Sequence, residues 1–375
     1  MLCRARPVNH ETDRGSLVSS IVRTRRSLAL LVAFVLGALT LAACGNDTET
    51  AAGTGPTGAT QATGATQEAQ PATIRVALDW FPNPDHVALY YALDKGYFDD
   101  QNLTVEFITP SDVTAGLKLV ATNKFDLSIF YEGDMFFAAQ EGLPVIAVES
   151  LVPQPLNSLM ALATSFVKGP ETVKGATIGV AGLPFDDAIL QTIQQDQGLS
   201  PDDITSVNVG FDLVPALLSE QVDAAIGTYF NIEGIHIESQ TGQAPTIVKM
   251  EELGVPHYDE LIVVANSERL DSDPAYADAV RRFNTALVAA TAAAQADEAG
   301  SLEIMKNDTE YTDEELGAMV PDTLPLLTSP KGLPTGCFDL EGWNTFGQWM
   351  MDNDLLEEPV DPATIATNDY LEGCP

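Results

Sequence analysis

Apolar residues along this chain fall into two alternating patterns. Short β-branched and apolar runs at 74–78, 103–108, 126–130 and 145–151 read as strands. Between them lie helical patterns. Residues 84–96 carry Val87, Ala88, Leu89, Tyr91, Ala92 and Leu93. Ser111 and Asp112 open a second helix with Leu117, Val120 and Ala121 on one side, and 133–141 gives a third. A second set follows, with strands at 176–180, 204–209, 224–228 and 247–250. Its helices are one opened by Gly182-Leu183-Pro184 and one at 214–220. Such alternation predicts parallel sheets with helices on both faces. Strand-like 156–163 is expected to carry the chain out of a first lobe, and 261–265 to bring it back. Residues 274–299 read as an Ala-rich helix. Further helices are expected after it, packed on the first lobe, with loops at 321–334. The expected fold is therefore α/β in two lobes, each a mostly parallel sheet flanked by helices, joined by a hinge. The first lobe takes 73–165, the second 166–262, and 263–375 returns to the first. Two lobes joined by two crossings enclose a ligand between them.

The residues before 73 do not fit that pattern. Arg23, Arg25 and Arg26 precede an apolar run at 28–41 and then Leu41-Ala42-Ala43-Cys44-Gly45. A basic segment, a short apolar segment and small residues before a cut make a secretory leader at 1–43. The run is shorter than the ~20 residues of a membrane span. A cysteine directly after Leu-Ala-Ala resembles the bacterial lipobox, which makes Cys44 the expected lipidation site and mature N-terminus. Residues 44–72 are rich in Gly, Thr, Ala and Gln and cannot form a core, so they read as a flexible tether. Together these place the protein at the cell membrane, lipid-anchored on the extracytoplasmic side. Cys337 and Cys374 then remain in an oxidising compartment and are expected to pair.

Charge narrows the partners. The whole chain carries a net charge of −36; without 1–43, which hold six arginines and two acids, it is −40. So acidic a surface argues against nucleic acid and anionic lipid as partners. Adaptation to a salty medium explains it better than any functional use does.

The chemistry concentrates in Leu78-Asp79-Trp80-Phe81-Pro82-Asn83-Pro84-Asp85-His86. Asn83 can N-cap the following helix, with Pro84 in its first turn. That puts Asp79 and Trp80 at the carboxyl end of a strand, where open α/β sheets bind ligands. An indole stacks on a flat ring and a carboxylate accepts from its amino groups. With Lys95-Gly96-Tyr97-Phe98, this stretch resembles the thiamine-pyrimidine-precursor family of solute-binding proteins. That family also includes a fungal hydroxymethylpyrimidine phosphate synthase and some riboflavin-binding lipoproteins. The resemblance covers about 74 to 266. It implies the type II periplasmic-binding-protein fold, capture of a small heteroaromatic ligand, and delivery to an ABC permease by a monomeric protein.

Further candidates follow other strands. Tyr131 and Glu132 stand after the third strand, where they either line the cleft or belong to a turn capped by Gly133 and Asp134. Gly182 opens a helix and can present backbone donors, although Asp186 and Asp187 would oppose a phosphate there. Gly227-Thr228-Tyr229-Phe230-Asn231-Ile232-Glu233-Gly234 resembles the family segment that closes over the ligand. Tyr229 is expected as a second stacking face, and Asn231 and Glu233 as polar contacts. His86 either bonds a ligand edge or holds the backbone near the helix start. An exported pyrimidine-metabolism enzyme is the alternative of another class. The fungal synthase uses a lysine and a histidine where alignment puts Phe130 and Asp134. It also has a cysteine-rich iron-binding segment where this chain has Val255-Pro256-His257-Tyr258-Asp259-Glu260. Four histidines, at 10, 86, 236 and 257, are too scattered for a metal site. The expectation is a binding protein without catalytic residues, cofactor or metal, with a flavin or other ring compound as the second choice of ligand.

Overall fold

The structure, a computed structural model, describes residues 70–375. The expected leader, Cys44 and nearly all of the tether lie outside the described residues. Among the described residues no helix is long and apolar enough to cross a membrane.

The first sheet begins with β1 (Ala72–Ala77), whose Ile74 and Val76 point into the core while Arg75 faces out. Its helix α1 (Val87–Asp94) is preceded by a short 3-10 turn at Pro84–His86. Asn83 caps that turn by accepting from the Asp85 N–H at 2.8 Å. Then come α2 (Tyr97–Asp100), β2 (Leu103–Ile108), α3 (Gly116–Ala121), β3 (Leu127–Phe130), α4 (Glu132–Gln140) and β4 (Val145–Val152). Helix α3 starts later than Ser111 because Asp112 accepts from the N–H and hydroxyl of Thr114, fixing a turn instead.

The second sheet is built from β5 (Asn157–Ala161), β6 (Thr177–Val180), α5 (Pro184–Asp196), β7 (Thr205–Asn208), α6 (Leu213–Leu218), β8 (Ala224–Tyr229), α7 (Glu233–Thr241) and β9 (Thr246–Lys249). The chain then returns through β10 (Leu261–Asn266) to α8 (Ser267–Ser272), α9 (Pro274–Ala296), α10 (Glu298–Asp308), α11 (Asp313–Thr323) and α12 (Leu340–Asp352). Pro321 lies inside the last turn of α11 rather than in the loop expected there.

The strand orders are β2-β1-β3-β10-β4 and β7-β6-β8-β5-β9. In each sheet three neighbours run parallel, and one inserted strand, β10 or β5, runs antiparallel to both its neighbours. The two sheets thus share one design that the sequence does not show residue by residue. Each inserted strand adjoins a crossing between the lobes. Every residue of β5 and of β10 is buried, and both are largely apolar, with Asn157, Ser158 and Asn266 hydrogen-bonded at their ends. The pairing of β5 with β8 and β9 corrects one boundary. Residues 157–161 belong to the second sheet, so the first crossing lies just after β4 and not near 165.

The C-terminal helices do pack on the first lobe. Phe283 of α9 stacks on Phe98 at 5.0 Å, and the Asn284 amide donates to the carbonyl of Val148 at 2.8 Å. Helix α12 reaches further. Its buried Phe346 touches Phe136 of the first lobe, Tyr258 of the second crossing and Phe185 of the second lobe. The segments flanking α12 cover the edge of β4. Ser150 N donates to Gly336 O and Ala147 N to Ile365 O, both at 2.8 Å. Covered edges do not recruit other strands.

A disulfide joins Cys337 to Cys374 and holds this cover closed across a separation of 37 residues. Constraining a loop of that length should stabilise the fold by about 3–4 kcal/mol. Denaturant unfolding of the Cys337→Ser/Cys374→Ser double variant should show a loss of that order. An unchanged midpoint would mean that the cover is held by its backbone bonds alone.

Candidate functional site

The carboxyl ends of β1, β3, β6 and β8 meet at a cavity between the two sheets, with about 500 Å³ of space between its walls, part of it open to solvent. Five carboxylates line it: Asp79 and Asp134 from the first lobe, Asp186 and Glu233 from the second, and Glu260 from the second crossing. Trp80 and Tyr131 contribute rings from one side, Phe185 and Tyr229 from the other. Asn83 and Asn157 complete the polar lining, and among the described residues no lysine or arginine belongs to it.

Asp79 is held rigidly. Its Oδ1 lies 2.8 Å from His86 Nε2, and its Oδ2 accepts from the Tyr131 hydroxyl at 3.0 Å. The Asn83 N–H points at His86 Nδ1, at 3.3 Å, which places the ring hydrogen on Nε2, toward Asp79. His86 is fully buried behind Asp79 and does not line the cavity. It orients the carboxylate and closes the helix start, the second of the two roles open to it in the sequence.

Trp80 and Tyr229 line the same cavity from opposite lobes. The indole also meets Phe211 of the second lobe edge-on at 4.7 Å, and Phe81 meets the same ring at 4.9 Å. Glu233 opens α7, where its Oε2 accepts from the Tyr229 N–H at 2.8 Å. Burial pushes its carboxyl up to about 7.

Three other expected residues lie elsewhere. Glu132 turns away from the cavity and accepts from the Asp259 N–H at 2.7 Å behind the hinge. Tyr131 ends the extended strand and Glu132 starts the helix, so successive side chains diverge. The Asn231 amide donates to Asp85 at 2.7 Å and to Thr323 at 2.9 Å, tying the second lobe to the first rather than facing a ligand. The Gly182 N–H is already used. With those of Ala181 and Leu183 it converges on Asp186 Oδ2, at 3.0 to 3.2 Å. This ring of backbone donors is an anion site filled by the protein's own carboxylate. Gly182 itself has φ +93°, and a Cβ there would collide with Asn208.

Asp134, Asp186 and Glu260 were not among the expected contacts. Glu260 Oε2 accepts from Leu156 N at 2.6 Å, Asn157 N at 2.9 Å and the Tyr258 hydroxyl at 3.0 Å. The one available signal was an acid directly before the apolar run of β10. Burial pushes Glu260 and Asp186 up to about 7 against these donors. Burial, and then the charge of Asp186, push Asp134 well above the usual carboxylate range. The arrangement is an acceptor-rich slot between rings. It suits a flat ligand that brings N–H donors or positive charge.

Comparison with known proteins agrees with this architecture. A family model described as NMT1/THI5 like matches residues 83–299. A Haemophilus influenzae protein named for thiamine biosynthesis is 36% identical over 79% of this chain and 90% of its own length. A formylaminopyrimidine-binding protein from Halalkalibacterium halodurans is 30% identical over 77% of this chain and 87% of its own. The 4-amino-5-hydroxymethyl-2-methylpyrimidine phosphate synthase of Candida albicans is 27% identical over 58% of this chain and 66% of its own. Among solved structures, an alkanesulfonate-binding protein from Xanthomonas axonopodis pv. citri superposes with a TM-score of 0.60 at 15% identity, covering 80% of this chain and 99% of that one. The ligand-binding component of an ABC-type import system from Staphylococcus aureus gives 0.61 at 12% identity, covering 82% and 99%. These likenesses show the fold, the two-lobed one of periplasmic binding proteins.

The raised carboxyls set a pH dependence. Unfolded Asp and Glu titrate near 3.9 and 4.3, whereas Asp186, Glu233 and Glu260 are pushed up by burial to about 7 and Asp259 to about 6. Between those limits the folded state holds more protons than the unfolded chain. Stability from these groups is therefore complete below about pH 4 and is lost as pH rises through about 7. His257, pushed down by burial, works in the opposite direction but carries a single proton. The ligand-free protein should melt at a higher temperature near pH 5 than near pH 8. A flat profile in scanning calorimetry over that range would show that these carboxyls titrate normally.

Proposed function

The chain belongs to the NMT1/THI5-like family, and from that premise we propose that it is an extracytoplasmic solute-binding lipoprotein of an ABC importer. Its ligand is an aminopyrimidine precursor of thiamine or a similar amino-bearing heteroaromatic, caught between two closing lobes. One observation carries this reading. Carboxylates and aromatic rings come from both lobes onto one cavity whose walls, among the described residues, hold no lysine or arginine. Amino groups donate to Asp79, Glu233 and Glu260, while the ring faces Trp80 and Tyr229. The converging N–H groups of 181–183 are occupied by Asp186, so an anionic ligand would find its donors already taken. The relative named for formylaminopyrimidine binding supports the same class of ligand. Contacts reaching both lobes favour the closed state, because a ligand shifts such an equilibrium only by its differential affinity for the two states.

Stacking on one ring adds about 0.5–1.5 kcal/mol beyond area burial, and a hydrogen bond to a charged group contributes about 1.5–3 kcal/mol. Trp80→Ala and Glu233→Gln should therefore each weaken binding by about tenfold or more, with the unliganded fold retained. Calorimetric titration with 4-amino-5-aminomethyl-2-methylpyrimidine, its formylamino analogue and riboflavin measures this. Failure of every compound to bind would sink the ligand assignment. Binding that neither substitution weakens would place the site elsewhere. For the anchor, Cys44→Ala should move the protein from the membrane fraction to the soluble one; continued membrane attachment would count against lipidation at that residue.

A further inference from the structure

Asp134 also lines a second compartment, with about 620 Å³ of space including its open mouth. Its walls are apolar: Leu117 of α3, Phe130 at the end of β3, Phe137 and Ala138 of α4, and Pro184 from the second lobe. Lys118 and Glu141 stand exposed at its rim. Asp134 and Leu183 belong to the walls of both compartments, so the two spaces are neighbours across these two residues.

The junction itself is unfinished. Asp134 is 3% exposed. Its Oδ1 faces the Phe185 N–H at 3.4 Å, and its Oδ2 has no hydrogen-bond partner among the described residues. Most buried polar atoms in folded proteins are paired, and of the six unpaired side-chain oxygens among the described residues only that of Asp134 belongs to the lining of these compartments. A single small ring held by Asp79, Glu233 and Glu260 would leave both this oxygen and the apolar walls beyond it without a partner. Each compartment takes walls from both lobes, so closure encloses them together.

We propose that the second compartment is the other half of the ligand site. It takes an apolar substituent, a second ring for example, joined to the amino-bearing heteroaromatic by a link that carries an N–H or a positive charge to Asp134. The proposal rests on the ligand class argued above and narrows it to two-part molecules. Asp134 selects the link, and the Leu117, Phe130 and Phe137 wall selects the substituent.

The test compares 4-amino-5-aminomethyl-2-methylpyrimidine with its N-benzyl derivative by calorimetry. The benzyl compound should bind at least tenfold more tightly. Ala138→Leu fills the second compartment and is absent from the first. It should abolish the benzyl advantage and leave affinity for the parent compound unchanged. Thr114→Trp, on the loop at the mouth, should do the same where the core variant does not fold, with melting temperature as the control. The proposal is overturned if the parent binds and the benzyl compound binds no more tightly, or if a folded variant leaves the advantage intact. Failure of both compounds to bind would bring down the ligand class and this proposal with it.

Discussion

The Glu260 carboxylate is the interaction on which the arrangement depends. One oxygen accepts from the backbone of Leu156 and Asn157 on the first crossing and from Tyr258 on the second. A hydrogen bond contributes about 0.5–1.5 kcal/mol, more when its acceptor is charged, and together these three clamp the two crossings side by side. The same carboxylate forms the floor of the cavity. Hinge and site are thus one piece of structure, and a donor that reaches Glu260 acts on the element that both lobes share. Behind it, Asp259 bonds Ser150, Trp343 and, through its N–H, Glu132. Adjacent residues of one crossing therefore serve opposite sides, one the cavity and the next the scaffold.

The crowding of acids around the cavity follows from the same economy of donors. Asp186 satisfies three N–H groups of a strand-to-helix turn, Glu233 one at the start of α7, and Asp79 the imidazole and a phenol. Each carboxylate serves the fold first and offers its remaining acceptor capacity inward. Without a lysine or arginine in the lining, burial makes protonation the alternative to a bound donor. On the proposed reading, a ligand that brings N–H groups would replace the protons that stabilise the empty site.

Much of the fold was legible because strand and helix periods alternate cleanly, as in 74–96 and 176–197. Trp80 and Tyr229 were legible for the same reason: each stands where a strand ends. What a linear pattern does not hold is the direction of a side chain at a strand-to-helix corner. Tyr131 and Glu132 are adjacent, yet one faces the cavity and the other the back of the hinge. Asn231 looked like a ligand contact, but its partners, Asp85 and Thr323, lie 146 and 92 residues away. The sequence around Gly182 shows a turn with backbone donors, but not that Asp186, whose charge opposes a phosphate there, is the acceptor that fills it. The first crossing lies earlier than expected because a short, mostly apolar strand such as β5 does not say which sheet it joins.

The order of strands has a consequence in time. The second sheet is made of five strands consecutive along the chain, β5 to β9, so it needs nothing from outside residues 157–249. The first sheet holds a place between β3 and β4 for β10, which arrives more than a hundred residues after them in sequence. Contacts that close long loops form late and slowly. The second lobe is therefore positioned to assemble first as a self-contained unit, while the first waits with a gap at its centre. Insertion of Leu261–Asn266 fills that gap and seats Glu260 in the same movement. The hinge therefore cannot form before residues beyond 260 are available, and a nascent chain has no closed cleft until then.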